Sequence, residues 1–345
     1  MALSRKQFFA FLGVGTFGAL LASAASNAVN LAPAWSSTPQ LFPSKGIELA
    51  QAAESAPELV SGGPESSLNL GQAIVLGMVQ GLTEFIPISS TAHLKVVPVL
   101  FGWGDPGVSL SAVIQLGSIA AVVWYFWDDL SALTNGALRA LVRREYDDRD
   151  FRIVLGIALG TIPILVFGAM VKYAVPDFYD KILRSLVSIA IVSIVMAILL
   201  AVAERIGTRK RNFSQVTLQD GLWMGCAQVL ALIPGVSRSG STITAGLFME
   251  LERPTAARFS FLLGIPAITL AGLVELLDVV EGNLGTIGLI PLVGGLISST
   301  IFSYAAIAWL IRFLQTQSTW VFVWYRLLFG VGILVGIASG VLPQI

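Results

Sequence analysis

Side chains able to move protons or attack an electrophile cluster in one short run, Gln80-Gly-Leu-Thr-Glu84-Phe-Ile-Pro87-Ile-Ser89-Ser90-Thr91-Ala-His93. Ser90 and His93 are three apart and share a helix face, and Gln80 and Glu84 are four apart and share another. A hydroxyl beside an imidazole is the minimal pairing for nucleophilic or general-base chemistry. Histidine, with an ordinary pKa of about 6.5, can take a proton at one step and return it at the next. His93 is the single histidine of the chain. Glu84 could orient His93, act as base itself, or bind a hard divalent cation such as Mg2+ or Ca2+ together with Gln80 and substrate oxygens. A second run, Pro234-Gly-Val-Ser237-Arg238-Ser239-Gly240-Ser241-Thr242, sets a guanidinium among hydroxyls. Arg238 offers a planar fork that matches phosphate oxygens, and Gly235 and Gly240 let backbone approach a ligand closely.

Both runs interrupt sequence that is otherwise apolar enough for lipid. Hydrophobic residues make up 55% of the 345 positions and charged residues 12%, with a mean hydropathy of +0.80. A soluble domain does not reach such values, and the chain reads as an integral membrane protein. An ionised side chain at bilayer depth costs about 2.5 to 3.5 kcal/mol on insertion scales, so such residues line a site or a water-filled cavity. We therefore read the two runs as one active site. The formal net charge of zero argues against a nucleic-acid partner, whose phosphates require a basic surface. Cys226 is the one cysteine, which excludes an intramolecular disulfide and a cysteine metal cluster; it reads as a small packing residue.

The elements that position these residues are membrane helices, some of them broken. Six stretches are apolar over about the 20 residues a span needs: 108–127, 152–174, 183–203, 257–277, 286–311 and 321–342. Two further apolar stretches, 68–101 and 219–249, carry the polar runs and are interrupted near the middle by Pro87 and Pro234. They read as re-entrant pairs of half-helices, with Ser89 or Ser90 and Ser237 or Ser239 as N-caps. The unpaired N–H groups at such starts attract anions, phosphate above all. Gly77-Met-Val-Gln80 recurs as Gly225-Cys-Ala-Gln228, and Leu116-Gly117 recurs as Leu263-Gly264, at offsets of 148 and 147 residues. One re-entrant pair plus three spans per half, over about 68–205 and 219–342, requires halves of inverted orientation. The expected fold is thus an all-α polytopic membrane protein of six transmembrane helices and two re-entrant pairs.

Loop charge orients it. Arg139, Arg143, Arg144 and Arg149 follow the first span and Arg205, Arg209, Lys210 and Arg211 the third, whereas 278–287 holds no Lys or Arg. The positive-inside rule puts the basic loops in the cytoplasm; Lys181, in the extracytoplasmic connection 174–182, runs against it. Before the membrane domain (68–345), Arg5-Lys6 and an apolar run ending in Ala22-Ser23-Ala24 resemble a secretory signal or an anchor over 1–25. Residues 26–67 read as a flexible extracytoplasmic linker. Several polar residues have plain structural readings. Thr83, Thr91 and Ser241 would bond back to their own backbone, Gln115 and Glu275 would serve helix contacts, and Arg326 beside Tyr325 would anchor the interface. Snorkelling is the rival role for Arg238.

The two runs resemble the signature segments of the undecaprenyl-diphosphate phosphatases, also called bacitracin-resistance proteins. Further likeness in Ile114-Gln115-Leu116-Gly117-Ser118-Ile119, Phe259-Ser260-Phe261-Leu262-Leu263 and Tyr325-Arg326 extends the resemblance over about 68–345. It implies an enzyme that removes the terminal phosphate of undecaprenyl diphosphate, recycles the lipid carrier for peptidoglycan and other cell-wall polymers, and confers bacitracin resistance. By position, Glu84 and Gln80 would occupy the acidic motif and tentative divalent-cation site, Ser90 the nucleophile and His93 the catalytic histidine. Arg238 would hold phosphate with Ser237, Ser239, Thr242 and Ser89. An amide at Gln80 replaces the carboxylate many members carry, and Ala92 replaces the usual glycine. In this reading His93, aided by Glu84, takes the Ser90 proton, or a water attacks directly with no phosphoserine. The implied partners are the polyprenyl diphosphate and membrane lipid, with homodimerisation left open, in the plasma (inner) membrane and with the site on the extracytoplasmic side. The rival reading is a polyprenyl-phosphate flippase or anion transporter, whose architecture also uses inverted repeats.

Overall fold

A computed structural model describes residues 69–103, 107–174, 179–281 and 288–343. The expected leader and linker lie outside them. Among the described residues the chain is all helical, with one isolated bridge pairing Arg211 and Leu251. In chain order the helices are α1 (Leu70–Glu84), α2 (Ser90–Leu100), α3 (Gly107–Tyr125), α4 (Trp127–Arg143), α5 (Arg149–Ala174), α6 (Leu186–Ile206), α7 (Leu218–Val229), α8 (Arg238–Phe248), α9 (Arg253–Glu281), α10 (Leu289–Thr316) and α11 (Trp320–Ala338). Helices α5, α6, α9, α10 and α11 are long and apolar enough to cross a membrane. Helix α3 is apolar over Val113–Tyr125.

Helices α1, α2, α7 and α8 are of a different kind. They hold 15, 11, 12 and 11 residues, so at 1.5 Å per residue none exceeds about 23 Å, short of the ~30 Å hydrocarbon core. Three of them, α1, α7 and α8, begin on a side chain that caps the first turn. Asn69 and Thr217 form capping boxes with Gln72 and Asp220 at the starts of α1 and α7.

One expectation is corrected. The basic segment after the first span is not a loop but the amphipathic helix α4, which buries Leu133, Gly136, Ala137 and Ala140 and exposes its arginines. Its apolar stripe follows the 3.6-residue period within a polar composition, so a search for uninterrupted apolar runs passes over it. Asp129 of α4 accepts from Arg258 of α9 at 2.9 and 2.5 Å, which ties the start of α4 to the start of α9.

Close helix packing sets the half-helices in place. A Cβ on Gly77 would lie 2.3 Å from the Gly295 carbonyl oxygen of α10, and one on Gly81 2.7 Å from that of Ser299. In the other half, a Cβ on Gly225 would lie 2.2 Å from the Gly160 oxygen of α5. Thus α1 lies against α10 and α7 against α5, through small residues that admit direct backbone approach. Beyond the far end of these contacts, Glu204 of α6 accepts from Arg253, Thr319 and Arg209. Arg211 forks onto Asp220 of α7, and these hydrogen bonds hold its guanidinium above the ordinary range.

Candidate active site

Two breaks in the backbone build the site. In the first, α1 ends at Glu84, the chain turns through residues 85–88, and Ser89 adopts φ 75° before α2 starts at Ser90. In the second, α7 passes into a 3₁₀ turn (Leu230–Leu232), Gly235 takes φ 96°, and Ser237 adopts φ 70° before α8 starts at Arg238. Two non-glycine residues in the left-handed region, 148 positions apart, continue the offset that relates Gly77 to Gly225. Backbone of this kind is held only where the surroundings over-determine it. Both N-caps are the first serine of the pairs considered above: Ser237 Oγ accepts from Gly240 N at 3.1 Å, whereas Ser89 makes no side-chain cap bond.

Arg326 joins the breaks. Sequence placed it at the interface, but it is fully buried. Its Nη1 donates to the Pro87 and Val236 carbonyls at 3.1 and 3.0 Å, its Nη2 to Gly235 at 2.6 Å, and its Nε to Ser193 at 3.4 Å. The Pro87, Gly235 and Val236 carbonyls are backbone acceptors left over by broken helices, so a single guanidinium satisfies groups from both breaks that would otherwise be orphaned in apolar surroundings.

Glu84 is the hub of the side-chain network. Its Oε2 accepts from Ser90 Oγ at 2.7 Å and from Gln80 Nε2 at 3.0 Å. Its Oε1 faces Arg238 Nη2 and Gln115 Nε2, each at 3.5 Å. Gln115 is thereby part of the site rather than a plain helix contact. Arg238 comes from the second break, donates through Nη1 to the Ser260 carbonyl at 3.2 Å, and lies 5.9 Å over the Phe85 ring. Its buried Nε has no hydrogen-bond partner.

The hydroxyls of the second run divide between contact and support. Ser239 Oγ donates toward the Glu84 and Ile86 carbonyls at 3.4 and 3.2 Å and lies 3.1 Å from Ser237 Oγ. Thr242 caps back onto the Arg238 carbonyl at 2.7 Å and meets Ser260 Oγ at 2.6 Å. Ser241 bonds back to the Arg238 carbonyl and Thr83 to that of Val79.

His93 belongs to the first break but does not pair with Ser90. Its Nδ1 is 2.7 Å from the Ser89 carbonyl oxygen and its Nε2 2.6 Å from the Tyr325 hydroxyl. A carbonyl only accepts, so Nδ1 carries a proton, and in the neutral ring the Tyr325 hydroxyl donates to Nε2. The ring also stacks on Phe329, centroids 4.3 Å apart. Tyr325, Arg326 and Ser260 were not singled out for the site by sequence reasoning. The signal for Arg326 was available, since an arginine inside an otherwise apolar helix obeys the same depth rule as Arg238.

The two breaks differ where chemistry is concerned. Gln228 stands where Gln80 stands in the first half, but four residues on is Leu232, not a carboxylate, and its fully buried amide lacks a hydrogen-bond partner. The first break therefore carries the carboxylate and hydroxyl, and the second carries the guanidinium. Beside Ser90 lies a cavity of about 170 Å³, lined by Gln80, Ser90, Thr91, Lys95, Gln115 and Arg184 among others.

Residues 73–332 match the family described as Bacitracin resistance protein BacA. The chain belongs to that family. Among BacA relatives, a protein of Trichormus variabilis named undecaprenyl-diphosphatase is 56% identical over 344 residues, covering 100% of both chains. Proteins of the same name from Trichodesmium erythraeum and a Synechocystis species are 61% and 62% identical, over 80% and 79% of this chain and 89% and 84% of theirs. Both polar breaks and Arg326 fall inside the matched BacA region.

Proposed function

We propose that this chain is an integral membrane hydrolase that cleaves undecaprenyl diphosphate to undecaprenyl phosphate and inorganic phosphate, and so recycles the carrier for cell-wall polymers and confers bacitracin resistance. The observation that carries the reading is the 2.7 Å hydrogen bond from Ser90 to Glu84, with Arg238 facing the other carboxylate oxygen. A hydroxyl, a base and a fixed cation within one site are the parts phosphoryl transfer requires, and charge neutralisation and positioning supply most of its rate.

In this mechanism Ser90 Oγ attacks the terminal phosphorus and its proton passes to Glu84 Oε2. The bond from that phosphorus to the bridging oxygen breaks, and the lipid monophosphate leaves. Glu84 passes that proton to the departing lipid phosphate; water then attacks the phosphoserine phosphorus, the bond to Ser90 Oγ breaks, and the water's proton passes through Glu84 to Ser90 Oγ as phosphate leaves. Arg238 and the N–H groups at the starts of α2 and α8 stabilise the charge that spreads over the phosphoryl oxygens, with Ser89, Ser237, Ser239 and Thr242 shaping those starts. The geometry favours Glu84 as the base on Ser90. His93, held between Ser89 and Tyr325, fixes the strained N-cap and serves as a proton relay one turn away.

Gln80 turns its amide N–H to Glu84, which leaves its carbonyl oxygen for a hard cation. Glu84 and Gln80 are therefore the ligands this chain offers to Mg2+ or Ca2+, with substrate phosphates completing the shell. Such a cation would neutralise diphosphate charge.

The spans α3, α5, α6, α9, α10 and α11, with the pairs α1–α2 and α7–α8 re-entering from opposite faces, make up the inverted arrangement we propose for the plasma membrane. The cavity includes Tyr179 and Arg184, beside the connection opposite the arginine-rich ends, which supports an extracytoplasmic site. Phosphate release from undecaprenyl diphosphate by detergent-purified protein, with no membrane to cross, tests the activity. Wild-type release that falls at least about 100-fold in Glu84→Gln is expected; binding of the lipid with no release at all would favour a transporter.

A further inference from the structure

The cations that line the cavity beside Ser90 are Lys95 and Arg184, not Arg238. Lys95 lies on α2 five residues beyond Ser90, about 7.5 Å farther along the helix axis. Arg184 comes from a different part of the chain. Its amide N–H donates to the Tyr179 carbonyl at 3.0 Å across a π-helical turn (Tyr179–Leu183), immediately ahead of Ser185, which caps α6 by accepting from Ser188 N at 3.2 Å. Single π turns recur at functional sites. Both cations are half-buried and each also interacts with the protein. Thr91, Ser111 and Tyr179 add hydroxyls to the same wall.

We propose that Lys95 and Arg184 form a second phosphate-binding subsite in the cavity beside Ser90, farther along α2 and separate from the Arg238 contact. The inference rests on Ser90 as the place of phosphoryl transfer. Two positive side chains converging from separate elements on a hollow of about 170 Å³ favour a compact anion, since the volume lies well below the ~300 Å³ at which drug-sized pockets begin. Hydroxyls beside them supply the neutral donors a phosphate also uses. A hollow of about 170 Å³ is too small for a long prenyl tail. The ligand chemistry is a phosphate group, whether the second phosphate of the lipid diphosphate or the inorganic phosphate product.

Two measurements on the full-length protein in detergent separate those sources. The first is the dissociation constant of inorganic phosphate, by calorimetry, and the second is KM for undecaprenyl diphosphate. Lys95→Gln combined with Arg184→Gln is expected to weaken at least one of them about tenfold, as loss of a charge-assisted contact does. Weaker phosphate binding with unchanged KM identifies a product subsite, and raised KM with unchanged phosphate binding identifies the second phosphate of the substrate. Changes below twofold in both overturn the subsite. Lys95→Arg, which keeps the charge, should retain most of the wild-type value, and an equal loss in Lys95→Arg and Lys95→Gln would also overturn it. Calorimetry does not depend on turnover, so a protein that binds phosphate through these residues but releases none from the lipid contradicts the hydrolase reading and not the subsite.

Discussion

The Ser90 hydroxyl is the first side chain of α2, and its position there decides its partner. Helical side chains tilt toward the N-terminus, so Ser90 points back across the break to Glu84 and not forward to His93. Spacing alone suggested the opposite, because residues three apart share a helix face and the break itself is invisible to that rule. The types of the site residues and the Gln80–Glu84 pair were therefore legible in sequence, and the partner of Ser90 was not. Replacing Ser90 by alanine, or Glu84 by glutamine, should lower kcat by at least about 100-fold with less effect on KM, measured as phosphate release under saturating lipid. Arg238→Lys keeps the charge but loses the planar fork, and should raise KM as well as lower kcat. Tyr325→Phe leaves His93 Nε2 without its donor and should reduce kcat by a smaller factor than Glu84→Gln. A Tyr325→Phe loss as large as that of Glu84→Gln would give His93 the leading role instead.

At the scale of elements, proline and serine in apolar runs revealed the breaks, but not what holds them. Arg326 does, by donating to carbonyls from both. Long-range partners of this sort leave no periodicity to read, and the only sequence trace is a charge at depth. Arg326→Met should destabilise the fold by more than about 3 kcal/mol, since it strands several buried acceptors; a lowered unfolding midpoint in detergent checks this, with Arg326→Lys intermediate. Ser89→Gly should act in the other direction. A left-handed non-glycine residue costs of order 1 kcal/mol, and Ser89 makes no side-chain cap bond, so the midpoint should rise slightly. Gly77→Val places side-chain atoms against the Gly295 backbone and should loosen α1 from α10, lowering the midpoint. The amphipathic α4 escaped the sequence reading for a related reason, that its stripe is too narrow to register as a membrane element.

Over the whole molecule, the proposed repeat has a counterpart in the backbone: Ser89 and Ser237, 148 positions apart, both take positive φ at helix starts. Unequal chemistry on that frame, with Glu84 in one half and Leu232 in its place in the other, explains why the repeat is faint where function is concentrated. The proposed orientation predicts that, in a Cys226→Ser background, a cysteine at Ser339 reacts with an impermeant maleimide added outside intact cells, whereas one at Arg144 reacts only after permeabilisation. The central claim is that Ser90 and Glu84 from one break act with Arg238 from the other as a single phosphoryl-transfer site. A rapid quench with undecaprenyl diphosphate labelled in its terminal phosphate tests it most directly. The account predicts label on the peptide containing Ser90 in the wild type and no label or turnover in Ser90→Ala; wild-type turnover by Ser90→Ala would contradict it.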